Sequence, residues 1–100
     1  MYIILWRYKV RPENLSQFES AYGPAGRWVQ LFKRGEGFIS TELLHYSENN
    51  NEYLTIDRWN SREASKMFLA NFDGEYKKID FEMENLTLEE TFLGSFESIT

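Results

Sequence analysis

Three polar residues interrupt apolar strand patterns and invite a chemical reading. They are Glu42 and His45 in "FISTELLHY" (38–46) and Asp57 in "YLTIDRW" (53–59). Two carboxylates held near each other in a dry cavity raise each other's proton affinity, which gives one of them a pKa suited to taking a phenolic proton. His45 is the single imidazole of the chain, and there is no Cys at all, so thiol nucleophiles, disulfides and thiolate metal sites are absent. "GPAG" (23–26) follows a helical pattern and lacks the Lys-Ser/Thr ending of a phosphate loop, so it reads as a break between helices. No dinucleotide fingerprint occurs either. The chemistry open to this chain is acid–base chemistry by carboxylates, and the expectation is that it needs no metal, flavin or heme.

The elements that must position these groups follow from periodicity. "YIILWRYKV" (2–10) is strand-rich and stops at Arg11-Pro12, where Pro suits a first helical turn. Leu15, Phe18 and Tyr22 recur at helical spacing, and Ala25, Trp28 and Phe32 mark a second stripe that Gly35 and Gly37 end. "SENNNE" separates the strands containing Glu42 and Asp57, which predicts a hairpin. Asn60 and Glu63 stand at capping-box spacing before Ala64, Met67 or Phe68, and Phe72; Tyr76, Ile79, Met83 and Leu86 continue the stripe. "TFLGSFESI" (91–99) closes the chain as a strand. This order predicts an α+β, ferredoxin-like βαββαβ fold: a four-stranded antiparallel sheet with helices on one face, in one domain spanning 1–100.

Pairing Glu42 with Asp57 sorts the hairpin by face. Leu43 then meets Ile56 and His45 meets Leu54 on the helix side, with Arg58 there too. The opposite, open face is expected to carry Glu42, Tyr46, Tyr53, Asp57 and Trp59, and an internal echo of "YIILWRY" in "YLTIDRW" adds Ile4, Trp6 and Tyr8. So aromatic a surface needs a cover. Two such faces meeting in a homodimer would supply it and enclose a pocket for a small aromatic molecule.

Composition narrows the partners. With 42% hydrophobic and 17% aromatic residues the chain is globular, and at 100 residues it gains from burial through association. Lys and Arg total 11 against 16 acidic residues, a net charge of −5, and no basic stripe is present, so nucleic acid is not expected. "MYIILWRYKV" lacks the features of a signal peptide, and no apolar run nears the roughly 20 residues of a membrane span. No membrane partner is expected, and a cytoplasmic location is.

Nearly the whole chain resembles the antibiotic biosynthesis monooxygenase family of small ferredoxin-like proteins. The resemblance rests on "LWRYKVRPENLSQFESAYGP", on "GFISTELL", and above all on "YLTIDRWNSREA", which is similar to that family's strand-acidic-x-Trp-x-Ser-x-x-Ala signature. It implies a dimeric α/β barrel and, among activities, oxygenases that act on quinols and polyketide-like aromatics without metal or flavin, alongside heme-degrading relatives. Phe68 stands where many members carry His. Trp6 and Phe68 also depart from the Asn and Trp of the heme-degrading branch, and no His follows His45, which argues against heme degradation.

Two functions remain open. In the first, an oxygenase uses Asp57 and Glu42 as base and partner, with Trp59 beside them and Trp6, Tyr8, Tyr46 and Tyr53 lining the substrate site. In the second, the same fold is a non-catalytic dimer that binds a small molecule or serves in assembly. The two carboxylates can equally form ion pairs, Trp59 can be a packing residue, and His45 is read as structural.

Overall fold

The computed structural model describes residues 1–99. Its elements run β1 (Tyr2–Val10), α1 (Leu15–Tyr22), α2 (Arg27–Phe32), β2 (Phe38–His45), β3 (Glu52–Trp59), α3 (Arg62–Asn71), α4 (Asp73–Met83) and β4 (Thr87–Glu97), with short 3₁₀ turns before α1 and after α4. The strands form one antiparallel sheet in the order β2-β3-β1-β4, and this is the expected ferredoxin-like arrangement. Pro12 opens the turn that leads into α1, as its fixed φ suits it to do. Gly37, at φ +90°, lets the chain leave α2 for β2 where a side chain would strike Ala64. Ser61, rather than Asn60, caps α3, its hydroxyl accepting from the Ala64 amide at 3.1 Å. The last strand starts at Thr87, four residues before the expected start, because it pairs with β1 along its whole length.

Aromatic rings join the helices to one face of the sheet. Tyr8 on β1 and Tyr53 on β3 pack on Phe18 of α1 at 5.3 and 4.9 Å, and Trp59 packs on Phe68 of α3 at 5.1 Å. Such contacts combine large buried area with favourable tilted geometry. The face they define carries Ile4, Trp6 and Tyr8 opposite Asp57, Thr55 and Tyr53, so the echo between β1 and β3 correctly groups those residues.

Which face they occupy differs from the expectation. β2 pairs with β3 one residue away from the anticipated register: Thr41, not Glu42, stands opposite Asp57, and Leu43 meets Thr55. Leu43 and His45 lie on the helix side as expected, but so do Tyr53, Asp57 and Trp59. Arg58, Ile56 and Leu54 take the open side. A one-residue slip moves every side chain of a strand to the other face. The physical selector is the buried aromatic set: Tyr53 and Trp59 are 1% and 2% exposed, and only the helices can cover them.

Candidate functional site

Between the sheet and the helices runs a cleft with two connected chambers. Trp6, Phe32, Asp57 and Tyr76 line both of them. The narrow chamber, of about 60 Å³, continues past Tyr8, Tyr22 and Trp28 to Thr41, Thr55, Asp80 and Glu90. The wide one, of about 340 Å³, opens toward Trp59, Phe68, Phe92, Arg62 and Lys66. α2 contributes Phe32 and Trp28, whose rings stand 5.8 Å apart, and Tyr76 of α4 lies 4.9 Å from Trp28. These rings make the apolar part of the wall, and Thr41, Thr55, Asp57, Asp80 and Glu90 supply polar groups at the narrow end.

Asp57 is the polar centre. Its Oδ1 accepts a 2.7 Å hydrogen bond from Thr41 Oγ1, and no basic side chain pairs with it among the described residues. Burial raises its pKa from 3.8 to about 6, against the opposing pull of the Thr41 hydrogen bond. Burial also pushes Tyr76 to about 12, helped by the nearby charges of Asp80, Asp57 and Glu90, and pushes Tyr8 and Tyr22 well above the normal phenol value. At neutral pH these phenols are uncharged donors. Asp57 is instead poised to exchange a proton.

The residues expected to form the site are divided by the sheet. Asp57, Trp6 and Tyr8 meet in the cleft, and Trp59 is buried at the wide end against Phe32, Phe38 and Phe68. Glu42 does not join Asp57. It lies on the open face, where Arg58 Nη1 approaches its Oε1 at 2.6 Å. Arg58 accordingly belongs to the open face and not to the helix side. Tyr53 faces the helices but away from the cleft, donating its hydroxyl to Glu19 Oε2 at 2.5 Å, with His45 stacked on its ring at 4.6 Å. Tyr46 is exposed just beyond the end of β2. Asp57, Trp6 and Tyr8 therefore meet in a cleft within one chain, on the helix side of the sheet and not on its open face.

Thr41, Trp28, Tyr76, Asp80 and Glu90 were not singled out for the site by sequence reasoning. One signal was available for Glu90: in β4 it shares the strand parity of Phe92, and the two stand opposite Tyr8 and Trp6. No group of three or more His, Asp or Glu side chains with metal-binding geometry occurs among the described residues.

Fold and cleft together define a ferredoxin-like α+β protein with an aromatic-lined cleft on the helix side of its sheet. The chain belongs to the antibiotic biosynthesis monooxygenase family, whose model matches residues 1–73. Among solved structures it is similar to a mutant form of SnoaB of Streptomyces nogalater, a cofactor-independent oxygenase: 23% identity, 99% of this chain and 93% of that one, TM-score 0.79. A putative antibiotic biosynthesis monooxygenase from Deinococcus radiodurans aligns at 15% identity, 98% and 92% coverage and TM-score 0.76. Another from Nitrosomonas europaea aligns at 10% identity, with 100% of both chains covered and TM-score 0.73. At these identities the likeness is one of fold. No curated protein matches in sequence. No helix among the described residues is long and apolar enough to cross a membrane.

Proposed function

We propose that this protein is a cofactor-independent monooxygenase for a small aromatic or quinol-type substrate held in the helix-side cleft, with Asp57 as the base. The observation that carries the reading is a carboxylate isolated among aromatic rings, without a basic partner, and with its pKa moved by burial to about 6. Asp57 takes a phenolic proton, and the resulting electron-rich anion transfers electrons to O2 and forms a ring C–O bond to it; cleavage of the O–O bond leaves one oxygen as a quinone carbonyl and releases the other as water, the substrate supplying all four electrons. Rings of Trp6, Phe32 and Tyr76 hold the substrate plane and exclude water. Trp59 supports the wide chamber by packing. Membership of the monooxygenase family supports the reaction class.

The functional unit in this reading is a homodimer. Ile3, Leu5, Leu54 and Ile56 of the open sheet face lie outside the helix-packed core, and Leu44 and Phe96 beside them are 42% and 49% exposed, so a second copy of the face would remove them from water. Light scattering should give twice 12.0 kDa. The site itself is tested by oxygen uptake with a dihydroxynaphthalene, corrected for uncatalysed oxidation. Asp57→Asn should keep its circular dichroism spectrum and lose activity, whereas full activity in the folded variant would remove Asp57 as base, and a native protein with no activity would leave a binding protein.

A further inference from the structure

The cleft is electrically lopsided. Asp80 and Glu90 stand at the narrow end and Asp57 lines both chambers, with no Lys or Arg in the narrow wall; at the wide end, Arg62 and Lys66 form no ion pair among the described residues. The narrow chamber also contains two unmet polar atoms. Thr55 Oγ1 and Trp28 Nε1 are buried in side chains 3% and 6% exposed; the Tyr8 and Tyr22 hydroxyls are close enough to interact with them, yet no hydrogen bond of proper geometry forms. An unpaired Thr55 hydroxyl is costly and can accept from a donor group, so the chamber suits something polar that donates; Trp28 Nε1–H, a donor only, gains nothing from a cation. Its volume of about 60 Å³ admits a slim group, while the wide chamber has the room for a ring.

The sign of that polar group follows from the charges. A carboxylate or phosphate would meet Asp57, Asp80 and Glu90 with no cation to offset them. An ammonium would meet these acceptors and the Thr55 hydroxyl, in a wall that includes the aromatic rings of Tyr22, Trp28 and Tyr76, and aromatic π clouds attract cations. Glu90 and Asp80 are exposed at the rim, where an incoming cation can reach them. They lie on α4 and β4, beyond the residues 1–73 that the family model matches, whereas Trp6, Tyr8, Tyr22, Trp28, Thr41, Thr55 and Asp57 of the same chamber lie within them.

We propose that the narrow chamber is a subsite for a protonated amine, and that the ligand is an aromatic ring compound whose ring occupies the wide chamber and whose ammonium group reaches Glu90 and Asp80. This rests on the reading of the cleft as the ligand site and adds the class of molecule it takes.

Calorimetric titration of the intact protein at neutral pH with three para-substituted phenols tests it: tyramine, para-ethylphenol and para-hydroxyphenylpropanoate. Tyramine should bind about tenfold more tightly than the neutral phenol, and the carboxylate should bind weakest of the three. Glu90→Gln and Asp80→Asn should each remove most of the tyramine advantage and leave the affinity for para-ethylphenol within about twofold. Both sites are exposed, so the folded state is checked simply by an unchanged melting temperature. Equal affinities for the three phenols, a preference for the carboxylate, no binding of tyramine, or an amine preference that survives both substitutions would each overturn the subsite. The readout is binding and not turnover. An inactive protein that still prefers tyramine loses the oxygenase reading alone, and an active one with no preference loses the subsite alone.

Discussion

Asp57 and Glu42 are carboxylates on neighbouring strands, one sheet thickness apart, and they meet opposite surroundings. Glu42 on the open face has a guanidinium at 2.6 Å and is half exposed, so Arg58 and water together satisfy its charge. Asp57 on the helix face has one hydroxyl donor, rings on the other sides and no cation. Its neighbour in the chain, Arg58, points through the sheet to the wrong face to help it. The open-face pair is a routine surface contact. The helix-face carboxylate destabilises the fold as an anion, because burial without a counter-charge disfavours its ionised form. A chain that keeps such a group at a cleft accepts lower stability where chemistry needs an available base.

The largest effect expected from breaking this contrast is on turnover. Asp57→Asn should lower oxygen uptake by about 10² to 10⁴ fold, the range for a lost general base. In the native protein the rate should rise with pH and reach half its plateau near the Asp57 pKa of about 6, since the base acts only when deprotonated. A pH-independent rate across that interval would assign the proton transfer to another group.

Next in size is assembly. Ile56 sits on the open face one residue before Asp57, and Ile56→Asp places a charge at the centre of the apolar patch. A buried unpaired charge costs several kcal/mol, enough to dissociate a dimer of this size. Light scattering should fall to the mass of one chain while the far-ultraviolet spectrum holds. A persistent dimer would place the interface elsewhere.

Stability should move in the direction opposite to activity. Folding raises the Asp57 pKa from 3.8 to about 6, so the folded state binds the proton more tightly than the unfolded chain. The contribution of this group to stability is therefore largest below 3.8 and is lost as pH rises through about 6. At about 1.4 kcal/mol per pKa unit the ceiling is about 3 kcal/mol, and partial exposure reduces it. Asp57→Asn, which never carries the charge, should melt several degrees higher than the native protein at neutral pH. The two should converge as pH falls from about 6 to 3.8. A variant that melts lower at neutral pH would show that the carboxylate is a structural hydrogen-bonding group.

Much of this was legible in the sequence. The helical stripes of Leu15, Phe18 and Tyr22 and of Trp28 and Phe32, and the grouping of Trp6 and Tyr8 with Asp57, all follow from period and parity. What was not legible is the step from strand to face. Residues 53–59 are apolar at both parities, with Leu54 and Ile56 on one side and Tyr53 and Trp59 on the other, so alternation does not choose between them. The long polar connection through 46–51 does not pin the register as a two-residue turn would. Bulges add to the uncertainty, since the β2–β3 register shifts between Phe38 and Ser40. Asp80 and Glu90 escaped for a different reason. Asp80 reaches the cleft only through the packing of α4, which has no local sequence mark, and Glu90 only because β4 lies beside β1, where its parity with Phe92 is the one sign in the sequence.

The smallest effect belongs to the other carboxylate, and it is a sensitive gauge of the face it sits on. Glu42 was a candidate to share the site with Asp57 and Arg58 was expected on the helix side, and the observed register takes Glu42 out of the cleft and places both on the open face. Glu42→Gln and Arg58→Gln should therefore leave turnover within about twofold, and a double-mutant cycle on melting should give a coupling of about 0.2 to 1 kcal/mol, as exposed pairs do. Added salt should shrink it, because screening acts on charges that water reaches. The outcome also locates the pair relative to the dimer contact. Weak, salt-sensitive coupling puts Glu42 and Arg58 at the rim around Leu44, Leu54 and Ile56. A coupling of several kcal/mol that ignores salt would mean that a partner covers the pair completely, because only desolvated charges interact so strongly. The open face would then hold a buried ion pair at its centre, and the apolar-patch account of assembly would give way to one led by that pair.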